Sequence, residues 1–273
     1  MTSSPARTRT YFISDLHLGA GYIADPRAHE QAVVAFLEAI APTARRLYLL
    51  GDVLDYWFEY RSVVPRGYVR FFGALARLAD SGTEIIWFTG NHDIWLFDYL
   101  RDEIGLTVVD PAAGYELRDI DGTLFCLGHG DGVGRQPAGF RFLRALFRNR
   151  LCQKLFAGIH PRWTVGFAHS WSSHSRKGYL ARPKPDPSGV EPERIGAKPR
   201  ASLEVFARQT LAEHPELRYI VMGHLHAAID EPVSDSCRLI VLGNWISRHT
   251  YAVFDGTTLR LAEYSPGTDP ANL

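Results

Sequence analysis

YFISDLHLG (11–19) is the stretch on which the fold turns. Three β-prone apolar residues run into a small residue and then into Asp15 and His17, so a buried strand ends where polar chemistry begins. The same event recurs in LYLLGDVLD (47–55), IIWFTGNHD (85–93), LFCLGHGD (124–131), YIVMGHLH (219–226) and LIVLGNW (239–245). Between several of these runs lie segments with apolar residues at i, i+3, i+4 and i+7 (29–41, 68–80 and 201–214), which predict amphipathic helices. Strand, polar turn, helix, strand is the rhythm of an α/β fold whose functional loops collect at strand carboxyl ends. Near the end, TYAVFDGTTLRLAEY alternates and turns at Asp255-Gly256, which predicts a hairpin.

Working outward, 273 residues at 46% hydrophobic suit one domain (1–273) with an insertion better than two equal domains. Apolar runs are too short for a membrane helix, and MTSSPARTRT lacks the apolar middle of a secretory signal, so a cytosolic chain is expected. Cys126, Cys152 and Cys237 are odd in number and form no CxxC pair. They read as reduced packing residues and exclude a disulfide framework or a thiolate metal site. Formal net charge is zero, yet Gly132 to Pro185 holds eleven Lys or Arg and no Asp or Glu. ARPKPDPSGVEPERIGAKPR (181–200), with five prolines, reads as an extended loop closing a basic insertion over 132–200.

The polar residues of the turns form one set: Asp15, His17, Asp52, Asp55, Asn91, His92, Asp93, His129, His224 and His226. Residues i and i+2 of a strand share a face, so Asp15 with His17, and His224 with His226, are each expected to aim two donors in one direction. Carboxylate and amide oxygens mixed with imidazoles suit Mn, Fe or Zn better than Ca or Mg. Any one of these turns alone is an ordinary polar loop; Asp93 in particular reads as a loop or N-cap carboxylate. Their conjunction after buried strands points to a metal site. Gly51, Gly90 and Gly223 are expected to let the backbone turn sharply beneath it.

The order D-x-H, G-D-x-x-D, G-N-H-D, G-H-G, G-H-x-H resembles the calcineurin-like metallophosphoesterase superfamily, from ISDLHLG (13–19) to VLGNW (241–245). The resemblance implies a sandwich of two mixed β-sheets flanked by helices. It also implies that Asp15, His17 and His226 hold one metal, that Asn91, His129 and His224 hold another, and that Asp52 bridges them. Two such ions, of which Mn2+ fits best and Fe2+ or Zn2+ remain open, share a water, lower its pKa and steady the phosphate in an in-line displacement. His92 is then expected to donate a proton to the leaving oxygen, with Asp55 orienting its imidazole. The other six histidines are assigned structural or surface roles.

FRFLRALFRNRLCQKLF (140–156) extends the reading to substrate. Phe140, Leu143, Leu146 and Phe147 form one stripe among Arg141, Arg144, Arg148 and Arg150, and the segment predicts two or three helices. A nucleic acid backbone or an anionic membrane would fit such a surface. The interleaved apolar residues favour the membrane, and nucleic acid is not expected. LLGDVLDYWFEY, VVPRGYVRFF, FTGNHDIWLFDYL, LGHGDGVG and WSSHSRK resemble the branch of the superfamily that splits UDP-2,3-diacylglucosamine in lipid A synthesis. That resemblance implies a helical lid for two acyl chains, a lipid-nucleotide substrate cleaved to UMP and 2,3-diacylglucosamine 1-phosphate, and a peripheral place on the cytosolic face of the inner membrane. Substrate contacts carried over are Asn91, His92, Phe140, Ser172, Ser175, Arg176, Lys177 and His224. Two departures stand out: GNHD where the better-known members have GNRD, and Phe140 where a Tyr is usual. With His92 as a working acid, a soluble phosphodiesterase or nucleotide pyrophosphatase stays open. A non-catalytic adaptor is disfavoured because all seven ligand positions are filled.

Overall fold

The computed structural model describes residues 7–134, 136, 138–161, 163 and 197–271. Its strands are β1 (Arg9–Ile13), β2 (Ala44–Leu50), β3 (Glu84–Phe88), β4 (Thr107–Val109), β5 (Glu116–Ile120), β6 (Thr123–Leu127), β7 (Tyr219–Met222), β8 (Ala228–Pro232), β9 (Arg238–Leu242), β10 (Thr250–Phe254) and β11 (Leu259–Glu263). Its helices are α1 (Pro26–Ile40), α2 (Val69–Asp80), α3 (Tyr99–Ile104), α4 (Ala138–Arg148), α5 (Arg150–Ala157) and α6 (Ala197–Glu213). One sheet runs β11-β10-β1-β2-β3-β4 and the other β5-β6-β7-β9-β8. Strands β1 to β4 are mutually parallel, as are β6, β7 and β9, while β10, β11, β5 and β8 pair antiparallel.

The central strands of each sheet are buried on both faces, and the side-chain alternation of a strand decides which residue meets which layer. Tyr11, Ile13, Leu47, Leu49, Ile85 and Trp87 pack with Phe36, Leu37, Phe71 and Leu75 of α1 and α2. Their alternates Phe12, Tyr48, Leu50, Ile86 and Phe88 meet Phe125, Val221, Ile240 and Leu242 of the second sheet. Phe12 stacks on Tyr48 at 5.1 Å and on Phe125 at 5.7 Å, joining the sheets. The outer face of the second sheet, through Ile220, Met222, Leu239 and Val241, takes Leu203, Phe206 and Ala207 of α6. The expected two-sheet sandwich with flanking helices is therefore the architecture found.

Three predicted helices are present, with shifted ends. Helix α1 starts at Pro26, whose missing N–H is no loss in the first turn, and Asp25 caps it by accepting from the N–H groups of Arg27 and Ala28. Helix α6 begins at Ala197, so the predicted loop does not reach residue 200. Pro199 sits in the first turn, where helix N–H groups lack intrahelical partners. The remainder of that loop lies outside the described residues. Strands β4, β5 and β8, short or at sheet edges and only partly buried, carry no long apolar run and were not predicted. Cys126 and Cys237 are buried packing residues and no disulfide links the three cysteines. Among the described residues no helix is long and apolar enough to cross a membrane.

Phe36 is fully buried beneath Tyr11, Trp245, Tyr251 and Tyr264, with ring centroids 5.0–6.3 Å away. Phe36→Ala is expected to lower the unfolding free energy by about 3–5 kcal/mol, read by urea denaturation. A loss under about 1 kcal/mol would contradict this packing.

Candidate metal centre

The six parallel strands that end at Ile13, Leu50, Phe88, Leu127, Met222 and Leu242 deliver their following turns to one place. Asp15, His17 and His226 bring donor atoms within 4.8 Å of one another, and Asp52, His129 and His224 do the same. His226 Nε2 lies 3.2 Å from Asp15 Oδ1 and 3.2 Å from His17 Nε2. Asp52 Oδ2 lies between the groups, 3.7 Å from His17 Nε2 and 3.3 Å from His129 Nε2. Asn91 Oδ1 is 3.2 Å from His129 Nε2. His224 stands with His129, ring centroids 5.1 Å apart, and groups with Asp52, whereas His226 groups with Asp15 and His17.

Five of these residues lie beyond the strand ends in left-handed geometry: Asp15 (φ 54°), His17 (φ 46°), Asp52 (φ 52°), His224 (φ 67°) and His226 (φ 57°). Strand alternation does not apply there. A non-glycine residue in this region costs on the order of 1–3 kcal/mol and persists only when its surroundings hold it. Here the turns hold one another: Asp15 N–H donates to Gly51 O, His17 N–H to Asp52 O, Gly223 N–H to His129 O and Trp245 N–H to Asp15 O. Asn244 Nδ2 donates to His226 O, and His224 N–H to Asp15 Oδ2. Of the three glycines, only Gly51 turns at positive φ (82°). Gly90 is required for close approach, because a Cβ there would stand 2.2 Å from Asp52 Oδ1.

The tautomers are set by hydrogen bonds. His129 Nδ1 donates to Leu50 O (2.9 Å) and His17 Nδ1 to Asp55 Oδ1 (3.3 Å), which turns both Nε2 lone pairs toward the carboxylates. Asp55 thus serves His17 first. His92 Nδ1 bonds the backbone carbonyl of Asp55 (2.9 Å), with the Asp55 carboxylate farther off at 3.5 Å, so the expected orienting partner is mainly a carbonyl. His92 itself is 21% exposed at the mouth, and its N–H donates to Asp52 Oδ1 (2.8 Å). Of the two readings of Asp93, the loop carboxylate is the one found and the helix cap is not: it lies in the turn after β3, fully buried, and accepts N–H bonds beneath the site. His29, one of the six histidines assigned structural or surface roles, is a buried α1 residue whose Nε2 donates to Leu16 O (2.7 Å), between Asp15 and His17.

The electrostatics require positive charge. Burial opposes ionisation of Asp15, yet the charge of His226 and the bonds from His17 and His226 outweigh it and hold the carboxyl below its usual range. Burial likewise opposes Asp52, and His129 above all pulls it well below. Against the burial that should lower it, His129 is raised well above its ordinary value by Asp52 and Asp15. Burial and then the charge of His129 bring His224 down to about 4. Two anionic carboxylates thus impose a cation on this pocket. Asp15 Oδ1 is buried and faces the Nε2 atoms of His226 (3.2 Å) and His17 (3.8 Å) across the same space. This donor set fits divalent metal ions.

Beside the site, α4 and α5 form the described part of the basic insertion. Asn149 caps α5 by accepting from the N–H groups of Leu151 and Cys152. Two of the arginines around the apolar stripe pair with the protein body: Arg144 with buried Asp131 (3.0 Å) and Arg148 with Asp110 (3.0 Å). Trp95 Nε1 donates to Phe147 O, and Trp95, Phe147 and Phe156 line a groove of about 260 Å³. Phe140 is half-buried on α4. Phe142, Leu151, Leu155 and Trp163 are exposed, each by 66–71%. Ser172, Ser175, Arg176 and Lys177 lie outside the described residues.

A family model described as calcineurin-like phosphoesterase matches residues 8–228. The chain is 42% identical to a Porphyromonas gingivalis protein named UDP-2,3-diacylglucosamine hydrolase, over 93% of this chain and 97% of that one. Proteins with the same name from Ralstonia nicotianae and Nitrosococcus oceani are 31% and 30% identical. They cover 79% and 86% of this chain, which spans 76% and 87% of theirs.

His29 yields a pH test. Burial first, against the Leu16 bond, lowers its folded-state pKa below the ordinary 6.5. The unfolded chain therefore takes up the proton more readily. Stability from neutral His29 is complete above 6.5 and is lost as pH falls through the lower folded value. The melting temperature of His29→Gln, which keeps an N–H donor without the titration, should fall less than that of the parent from about pH 7 to pH 5. Parallel profiles would contradict it.

Proposed function

The chain belongs to the calcineurin-like phosphoesterase family, and on that footing we propose that it hydrolyses the pyrophosphate bond of UDP-2,3-diacylglucosamine, releasing UMP and 2,3-diacylglucosamine 1-phosphate. The 42% identity over nearly the whole of both chains carries this reading. In it Asp15, His17 and His226 hold one divalent ion, Asn91, His129 and His224 the other, and Asp52 faces both; Mn2+ is the proposed metal. When bound, such ions supply Lewis acidity, lowering the pKa of water toward neutrality and screening the phosphate oxygens.

The remaining work falls to the chain's own residues. Asp55 holds the His17 ring with Nε2 inward, and Leu50 O does the same for His129. His92 is anchored twice, through its N–H to Asp52 Oδ1 and through Nδ1 to Asp55 O. Its Nε2 is then the atom left to meet a phosphate or leaving oxygen. A sugar phosphate leaves readily, so a hydrogen bond suffices there; a poorer leaving group would use the proton. Asn91 and His224 border the same space.

The insertion supplies the lipid side of the proposal. The groove between Trp95 and α5 and the exposed Phe142, Leu151, Leu155 and Trp163 suit acyl chains. Arg141, Arg150 and Lys154, which are exposed, suit an anionic membrane surface, whereas Arg144 and Arg148 are already paired with the protein body. A peripheral position on the cytosolic face of the inner membrane follows from that surface and substrate. Phe140, Ser172, Ser175, Arg176 and Lys177 are the proposed further contacts.

The test compares Mn2+-loaded protein on UDP-2,3-diacylglucosamine in mixed micelles, on UDP-glucosamine and on a soluble aryl phosphodiester. Preference for the acylated substrate by at least tenfold in kcat/KM, UMP as product, and loss of at least 100-fold in Asp52→Ala are expected. If the diester turns over while the lipid is ignored, the substrate is a soluble phosphodiester and the lipid assignment fails.

A further inference from the structure

The ladder between β2 and β3 ends at Leu50 and Phe88, and both chains then leave the sheet to carry site residues. Something must keep these two turns in register where strand pairing no longer does. We propose that Asp93 is that positioning residue: its carboxylate clasps the turn bearing Asp52 to the turn bearing Asn91 and His92, and thereby sets the spacing of the two ion sites.

Asp93 is fully buried. Its Oδ1 accepts from Gly90 N–H (2.7 Å) and Asp52 N–H (3.2 Å), and its Oδ2 from Val53 N–H (2.9 Å) and Trp87 Nε1–H (3.1 Å). Leu54 N–H lies at the outer limit, 3.5 Å from Oδ2. Every partner is a donor, and each oxygen has one partner from either side of the gap. Both oxygens are consumed in this way, which leaves Asp93 unsuited to ligation and suited to bracing.

The clasp is reciprocal. Asp93 takes the N–H of Asp52, and Asp52 Oδ1 takes the N–H of His92 (2.8 Å). With Oδ1 committed, Oδ2 of Asp52 is the atom turned to His17 and His129. Asp52 adopts left-handed geometry (φ 52°), which must be held from outside. A Cβ on Gly90 would come within 2.3 Å of Asp52 N, so glycine is what lets the turns close to clasping distance.

The test is Asp93→Asn, which keeps the shape but sets an NH2 against N–H groups that need an acceptor. Mn2+ binding is followed by titration calorimetry with metal analysis, and the metal pair by the exchange-coupled Mn2+ signal in electron paramagnetic resonance. The variant is expected to bind its second Mn2+ at least tenfold more weakly and to show an uncoupled spectrum. Glu59→Gln is the control. Glu59 is a buried carboxylate accepting from Trp57 Nε1 and from Phe97, Asp98 and Tyr99 N–H, away from the ligand turns, so its loss should lower the melting temperature without altering Mn2+ stoichiometry or coupling. If Asp93→Asn does not fold, Asp93→Ser, which opposes no N–H group, is read in the same way. Two Mn2+ bound with parental affinity and a coupled spectrum in either variant overturns the proposal. It rests on the two-ion reading: a parent binding fewer than two Mn2+ sinks that reading, whereas a two-ion parent with an unaffected variant sinks only the clasp.

Discussion

Two carboxylates, Asp15 and Asp52, lie buried within a few ångströms of four imidazoles, and the rest of the molecule is arranged around the cost of that burial. A buried charge is tolerated only when paired and hydrogen-bonded. Imidazoles alone answer the demand poorly: His129 is driven toward protonation while its neighbour His224 is driven from it. Adjacent like groups are thus pushed in opposite directions, His129 up against its burial by the carboxylates and His224 down by burial and by His129. Divalent cations resolve the mismatch with the same atoms in place.

Such a pocket cannot be built from regular strands. Donors must come from several turns at once, and at five of the seven proposed ligand positions the backbone takes left-handed geometry, a strain that no local interaction repays. The strain is offset by the sandwich behind it. Phe12, Tyr48 and Phe125 lock the sheets face to face, so that the carboxyl ends of β1, β2 and β3 stay opposite those of β6, β7 and β9. Hydrogen bonds from turn to turn then carry this rigidity to the ligands.

What could be read from the sequence follows from the same division. Apolar runs ending in D-x-H, G-D-x-x-D, G-N-H-D, G-H-G and G-H-x-H are local signals, and they marked the parallel strands and the residues that gather here. Long-range geometry left no local mark. The left-handed backbone at Asp15, His17, Asp52, His224 and His226 is one such feature; that Asp93 is buried under three N–H groups and an indole, which depends on the turn after β2, is another. His29 was one of six histidines assigned structural or surface roles, and only the approach of Leu16 O shows which of the two it has. The edge strands β5 and β8 carry mixed polar sequences because each is only partly buried.

The basic insertion shows how composition alone can mislead about charge. Eleven Lys and Arg without an acid between Gly132 and Pro185 suggest a uniformly cationic surface. Yet the acids that balance Arg144 and Arg148 come from outside the segment, Asp131 just before it and Asp110 far upstream. Those pairs, together with the Trp95 bond to Phe147 O, tie α4 to the body that carries the metal centre. Basic residues one helical turn apart thus have opposite uses: Arg144 and Arg148 fix the helix in place, and Arg141 points its charge to solvent. Anchored in this way, α4 holds its exposed Phe142 at a set place beside the candidate metal centre, which a freely swinging cationic helix could not do.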